Sequence, residues 1–170
     1  MIFYIILLYM AKSVKRNHNT LGKKKISRSI RSTRKSRFSV GNLPNNKKSH
    51  IVRVFLEMIN VVKLYHWKTR SYAQHKATDE LYSSLNSNID KFVEILLGKD
   101  QSRINMIEKR IDLLDTDNKN EFQKRIFEYR NFLTSLNIYF DSSRDSDLLN
   151  VRDEILGDLN QFLYLMSFDK

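Results

Sequence analysis

KLYHWKTRSYAQHKATDELYSSLNSNIDKFVEILLG, residues 63–98, is the stretch that decides the fold. From Tyr72 to Leu97 it holds neither Pro nor Gly, and apolar residues recur at Leu81, Leu85, Ile89, Phe92 and Leu96. That is the period of an amphipathic helix about seven turns long, closed by Gly98 just past its end. With His75 at zero and about 100° per residue, the apolar stripe covers roughly 240° to 340°. Asp79, Asp90 and Glu94 then fall at about 40°, 60° and 100°, one band beside the stripe. Ser83, Asn86 and Ser87 lie in or near that band and are small enough for another helix to approach. A solvated face more often carries Lys and Glu there.

Spacing adds a constraint. His75 and Asp79 are an i,i+4 pair, as are Asp90 and Glu94, so each pair can point at one ion. From Asp79 to Asp90 the helix rises about 16 Å, too far for both pairs to share an ion within one chain. A second copy, antiparallel across a two-fold axis near residue 84 or 85, would set His75 and Asp79 opposite Asp90 and Glu94 of its partner. Two equivalent shared sites would result. The competing reading is purely structural: Asp79 sits near a helix start, where the dipole favours it, and Asp90 and Glu94 pair with Lys91 and other surface cations.

At these residues the chain resembles the Dps mini-ferritins: His66-Trp67, then His75-x3-Asp79, then Asp90-x3-Glu94. The resemblance is specific over roughly residues 60–98 and architectural beyond, and the link from His66 to His75 is shorter than in that family. It implies a ferritin-like four-helix bundle that assembles into a shell, oxidises ferrous iron between subunits and binds DNA. His66, His75 and Asp79 would come from one subunit, Asp90 and Glu94 from its neighbour. The same block is also similar to an uncharacterised family of large DNA viruses, for which no activity is established.

Upstream, Ser49 is the expected N-cap of a first helix over residues 49–68. Ile51, Phe55, Met58, Val62 and Tyr65 share one face of it, with His66 at the edge of that face and Trp67 as a large packing residue. Residues 11–48 are a different material, with 13 Lys and Arg and no acid. Lys23, Lys24, Lys25, Arg28, Arg31, Arg34, Lys35 and Arg37 form its densest part. Such a segment cannot bury a core and reads as a disordered arm. The other 17 basic residues stand against all 19 acids, so the net charge of +11 belongs to this arm. A basic arm suits the phosphates of DNA or RNA, bound through counterion release. Nuclear targeting, an acidic protein, an anionic membrane or a merely solubilising tail are the alternatives.

Residues 1–10, MIFYIILLYM, are apolar but far short of the about 20 needed to span a bilayer, and they lack a basic leader. Three readings compete: a start at Met10, an anchor or weak signal, or a sticky tail or short helix. They give no firm membrane signal. The absence of Cys excludes disulfides, thiolate metal sites and thiol nucleophiles. It is compatible with a reducing compartment such as cytoplasm, nucleus or virion.

Downstream, residues 101–114 read as a short helix within a long crossover. Residues 118–140 and 146–168, the latter capped at Ser146, read as the third and fourth long helices. The expected architecture is therefore all-α: a ferritin-like bundle over residues 49–170. No Glu-x-x-His motif, HExxH motif, phosphate loop or Ser-His-Asp set is present. The acids Asp153, Glu154 and Asp158 read as a solvated face. Imidazole and carboxylate ligands suit iron, with zinc or manganese as alternatives. Two function classes remain. One is an iron-binding or ferroxidase protein whose arm holds nucleic acid. The other is a non-enzymatic helical scaffold, virion or genome-associated, that has lost the metal.

Overall fold

The computed structural model describes residues 43–168, and the basic cluster from Lys23 to Arg37, with residues 1–10, lies outside them. Four long helices follow in order: α1 (Asn45–Lys68), α2 (Tyr72–Gly98), α3 (Lys119–Ser135) and α4 (Ser146–Met166), with one 3-10 turn, Leu136–Ile138. No strand occurs among the described residues.

Each helix buries the stripe its sequence period dictates. Leu81, Leu85, Ile89, Phe92 and Leu96 of α2 meet Phe55, Met58 and Val62 of α1, with Phe122, Ile126, Tyr129 and Leu133 of α3 and Ile155, Leu159 and Phe162 of α4. Large rings fill the centre. Tyr65 stacks on Phe122 at 3.9 Å between centroids, and Phe55 meets Phe92 edge-on at 5.1 Å.

Helix starts follow local chemistry. Ser71 accepts the Gln74 amide and caps α2, and Asn118 accepts the amides of Asn120 and Glu121 to cap α3. Two expected caps are displaced. Helix α1 begins at Asn45 behind Pro44, so residues 45–48 belong to the bundle rather than to the arm. Ser49 is buried inside it, its hydroxyl accepting the Ile107 amide. At α4 the N-cap is Asp145, whose carboxylate accepts the Asp141 amide, and Ser146 is the first helical residue. The third helix ends at Ser135 instead of running to residue 140, and the fourth ends at Met166.

The helix expected over residues 101–114 is absent; this crossover is extended. It runs along the whole of α1. Asn45 donates to the Asn105 carbonyl, Ser49 meets Ile107, Arg53 pairs with Glu108 at 2.8 Å, and Lys68 pairs with Asp115. From Asn45 to Lys68 the helix rises about 35 Å. The ten steps from Asn105 to Asp115 cover about 33 Å if extended, and only about 15 Å if helical. Reach therefore overrides local propensity.

The crossover returns the chain to the end where α2 began, so α3 runs parallel to α2. Around the bundle the order is α1, α2, α4, α3, and every neighbouring pair is antiparallel. This is the connection order of ferritin-like bundles, with one long crossover. At the far end Lys99 holds Asp145 and Asp147, joining the last turn of α2 to the first of α4. Burial alone would lower the Lys99 ammonium, but hydrogen bonds and charge from those two acids win and raise it. No described helix is long and apolar enough to cross a membrane.

Candidate metal centre

The three-residue turn 69–71 folds α2 back on α1 and brings His66 and His75 face to face. Their rings stack at 3.9 Å between centroids, tilted by 24°. His66 is 7 % exposed, whereas His75 lies at the surface. Each ring is oriented by the other residue's backbone. Nδ1 of His66 lies 3.1 Å from the His75 carbonyl, and Nδ1 of His75 lies 3.1 Å from the His66 carbonyl.

A carbonyl oxygen only accepts, so both Nδ1 atoms carry the proton and donate. In the neutral ring this is the tautomer that leaves the lone pair on Nε2. This is the arrangement in which backbone oxygens fix the tautomer of metal-binding histidines. Thr78, fully buried, completes the support. Its hydroxyl lies 3.2 Å from Nδ1 of His66 and donates to the carbonyls of Gln74 at 2.8 Å and His75 at 3.0 Å. Asp79 places one carboxylate oxygen 3.9 Å from Nε2 of His66 and is half exposed.

Imidazole nitrogens and a carboxylate are donor types that suit a divalent transition metal. Asp90 and Glu94, both exposed, lie further along the same face of α2. Among the described residues, no three His, Cys, Asp or Glu side chains in one chain converge where an ion could sit. The structure thus stacks His75 on His66 and sets Asp79 beside His66 without aiming all three at one point, and leaves Asp90 and Glu94 apart from them.

Thr78 and Gln74 escaped the sequence reading, as did the hydrogen-bonding role of Tyr65. Tyr65 donates to the Gln74 amide oxygen at 2.6 Å, as does Thr69 at 2.7 Å, which locks the turn behind the histidines. Trp67, expected as a packing residue, is 69 % exposed. His50 packs edge-on against Phe132 at the other end of α1, far from the histidine pair. The acids of α4 are individually engaged: Asp153 with Arg152, Glu154 with Lys91, and Asp158 with Asn88. Partial burial raises the Asp158 carboxyl and nearby Glu154 raises it further, against the lowering effect of the Asn88 hydrogen bond.

A second polar group lies between α1 and α3. Glu57, buried, accepts from Tyr129 at 3.0 Å and Arg53 at 3.2 Å and lies 3.5 Å from Arg125. Burial pushes the Tyr129 phenol far up, and the Glu57 charge adds to that. Tyr129 therefore stays a neutral donor. The two arginines offset the buried carboxylate and are themselves paired with Glu108 and Glu128, so this group is a structural network.

Residues 66–166, more than half of the sequence, match the family described as Family of unknown function (DUF5856). The chain belongs to that family. No curated protein and no solved structure gives a significant match. The DUF5856 match begins at His66 and takes in His75, Asp79, Asp90 and Glu94, while residues 11–48 lie outside it.

Proposed function

We propose that the chain is a Dps-like iron-binding protein, a ferroxidase whose sites are shared between two subunits and whose basic arm holds nucleic acid. The observation that carries this reading is the pair of histidines whose Nδ1 atoms meet each other's backbone carbonyls, with Asp79 3.9 Å from Nε2 of His66. Asp90 and Glu94 of a second, antiparallel copy would complete the sphere. Ferrous iron is then the substrate. The carboxylates favour the more highly charged oxidised ion, and the histidines leave room for dioxygen or peroxide from solvent as the oxidant. Zinc and manganese would compete for the same donors.

The test is complementation. His75→Ala and Asp90→Ala each abolish iron binding as pure proteins. A heterodimer of the two recovers one site of two, because one interface joins the unmutated halves. An assembled heterodimer that binds no iron refutes the shared site.

One observation favours a non-enzymatic scaffold, virion or genome-associated, as the second reading. The imidazole stack and its hydrogen bonds already satisfy His66 within a single chain. Iron content of the purified protein separates the two.

A further inference from the structure

Tyr72 is 79 % exposed and Trp67 69 % exposed, and both stand beside the histidine pair. Large aromatics this open on a folded bundle mark a contact surface. At the opposite end of α2 lies an open cleft of about 720 Å³, lined by Glu94, Leu97, Gly98, Gln101 and Arg103.

The shared site fixes a register. Setting His75 opposite Glu94 and Asp79 opposite Asp90 requires paired positions whose numbers have a constant sum. The same register sets Tyr72 opposite Leu97 and the N-cap Ser71 opposite Gly98, with Trp67 at the end of α1 next to that start. At about 100° per residue Tyr72 and Leu97 fall within about 20° of each other on the band that carries Asp79 and Asp90. Charge agrees with this pairing. From Met58 to Thr78 there is no acid, but there are Lys63, Lys68, Arg70 and Lys76, and the cleft end of the face carries Asp90 and Glu94, with Lys91 drawn to Glu154, Lys99 to Asp145 and Asp147, and Arg103 at the rim.

We infer that Tyr72 and Trp67 are the anchors of the antiparallel dimer, seated in the 94–103 cleft of the second copy. The inference rests on the shared-site reading and assigns it a lock. Tyr72 fills the space over Leu97 and Gly98. Arg103 covers the aromatic pair from the rim, a cation over rings. Gly98 is what keeps the cleft open: a Cβ built there meets no atom within 4 Å, so a side chain at 98 fits the monomer and intrudes only on the dimer.

Trp67 is the sole tryptophan, so its emission reports its own environment. The experiment dilutes the full-length chain, following Trp67 emission and acrylamide quenching alongside sedimentation velocity. The expected result is a blue shift and at least threefold weaker quenching on dimerisation, with the same midpoint as sedimentation. Tyr72→Ala and Gly98→Arg should each weaken the dimer at least tenfold while leaving monomer helicity unchanged. A dimer that forms with Trp67 equally quenchable, or that survives both substitutions, overturns the anchor yet leaves the shared site standing if heterodimer complementation succeeds. A chain that stays monomeric at every concentration overturns both. Quenching by single-stranded oligonucleotide without any dimer assigns the aromatics to nucleic acid and also overturns the anchor.

Discussion

Thr78 orients the buried imidazole of His66, and its hydroxyl also bonds the Gln74 and His75 carbonyls of its own helix. Replacing it by Val keeps the shape and removes the acceptor. Thr78→Val should weaken iron binding about tenfold, the usual cost of losing a supporting partner behind a metal-binding histidine, with circular dichroism unchanged; calorimetric titration measures it. Asp100 illustrates a different kind of residue. Hydrogen bonds from Lys48 and Ser102 hold its carboxyl below the ordinary 3.8. A depressed folded value means the pair's stabilisation is complete above the unfolded value and disappears as pH falls through the folded one. Asp100→Ala should cost about 2 kcal/mol at pH 7, the range for hydrogen bonds to charged groups. The difference from the unmutated chain should vanish in strong acid, as urea unfolding at several pH values will show. Neither role was legible in the sequence. A Thr at a buried helical position and an Asp two residues past a glycine look like many others until the turn and the crossover bring their partners to them.

At the scale of elements, the crossover is the instructive case. Ile104, Ile107, Ile111 and Leu114 recur at spacings of three, four and three, which mimics a helix. In the fold, Ser102, Ile104 and Met106 alternate with the exposed Arg103, Asn105 and Ile107, the period of an extended chain. Length explains the difference, because only an extended segment reaches from Asn45 to Lys68. Deleting residues 109–111 should therefore prevent the crossover from closing and lower the urea midpoint sharply, since about 10 Å of reach is lost. Inserting three glycines at the same place should cost under about 1 kcal/mol, the small price of a longer loop. The four long helices were legible because stripes such as Leu81 to Leu96 hold their period over many turns. The start of α1 at Asn45 was not, since it opens behind Pro44 instead of a local serine, and at α4 the start at Ser146 was legible but its cap, Asp145, was not.

At the scale of the whole molecule, half of the candidate centre lies within one chain and half would lie in another. The sequence spacing pointed to that division through helix rise alone, but the orientation of His66 and His75 required the turn at 69–71. The charge division is equally plain, with the excess of basic residues upstream of a slightly acidic bundle. If the arm binds nucleic acid, truncation at residue 42 should abolish binding. Leu43 and Pro44 must remain, because Leu43 is buried and Pro44 opens α1. In the intact chain, affinity should fall steeply with added salt in filter-binding or anisotropy titrations. Retained affinity in the truncated chain would place binding on the bundle.

The order of the helices also fixes how the molecule responds to force. Helices α1 and α4 point the same way from diagonal corners, so the described chain enters at one end of the bundle and leaves at the other. A pull applied at Leu43 and Phe168 runs along the helix axes. It loads the interlocked side chains of all four helices in shear at once rather than peeling one helix from an end. In an optical trap the bundle should rupture in a single step at high force. The same bundle gripped at Lys68 and Phe168, both at one end, should unzip at a much lower force.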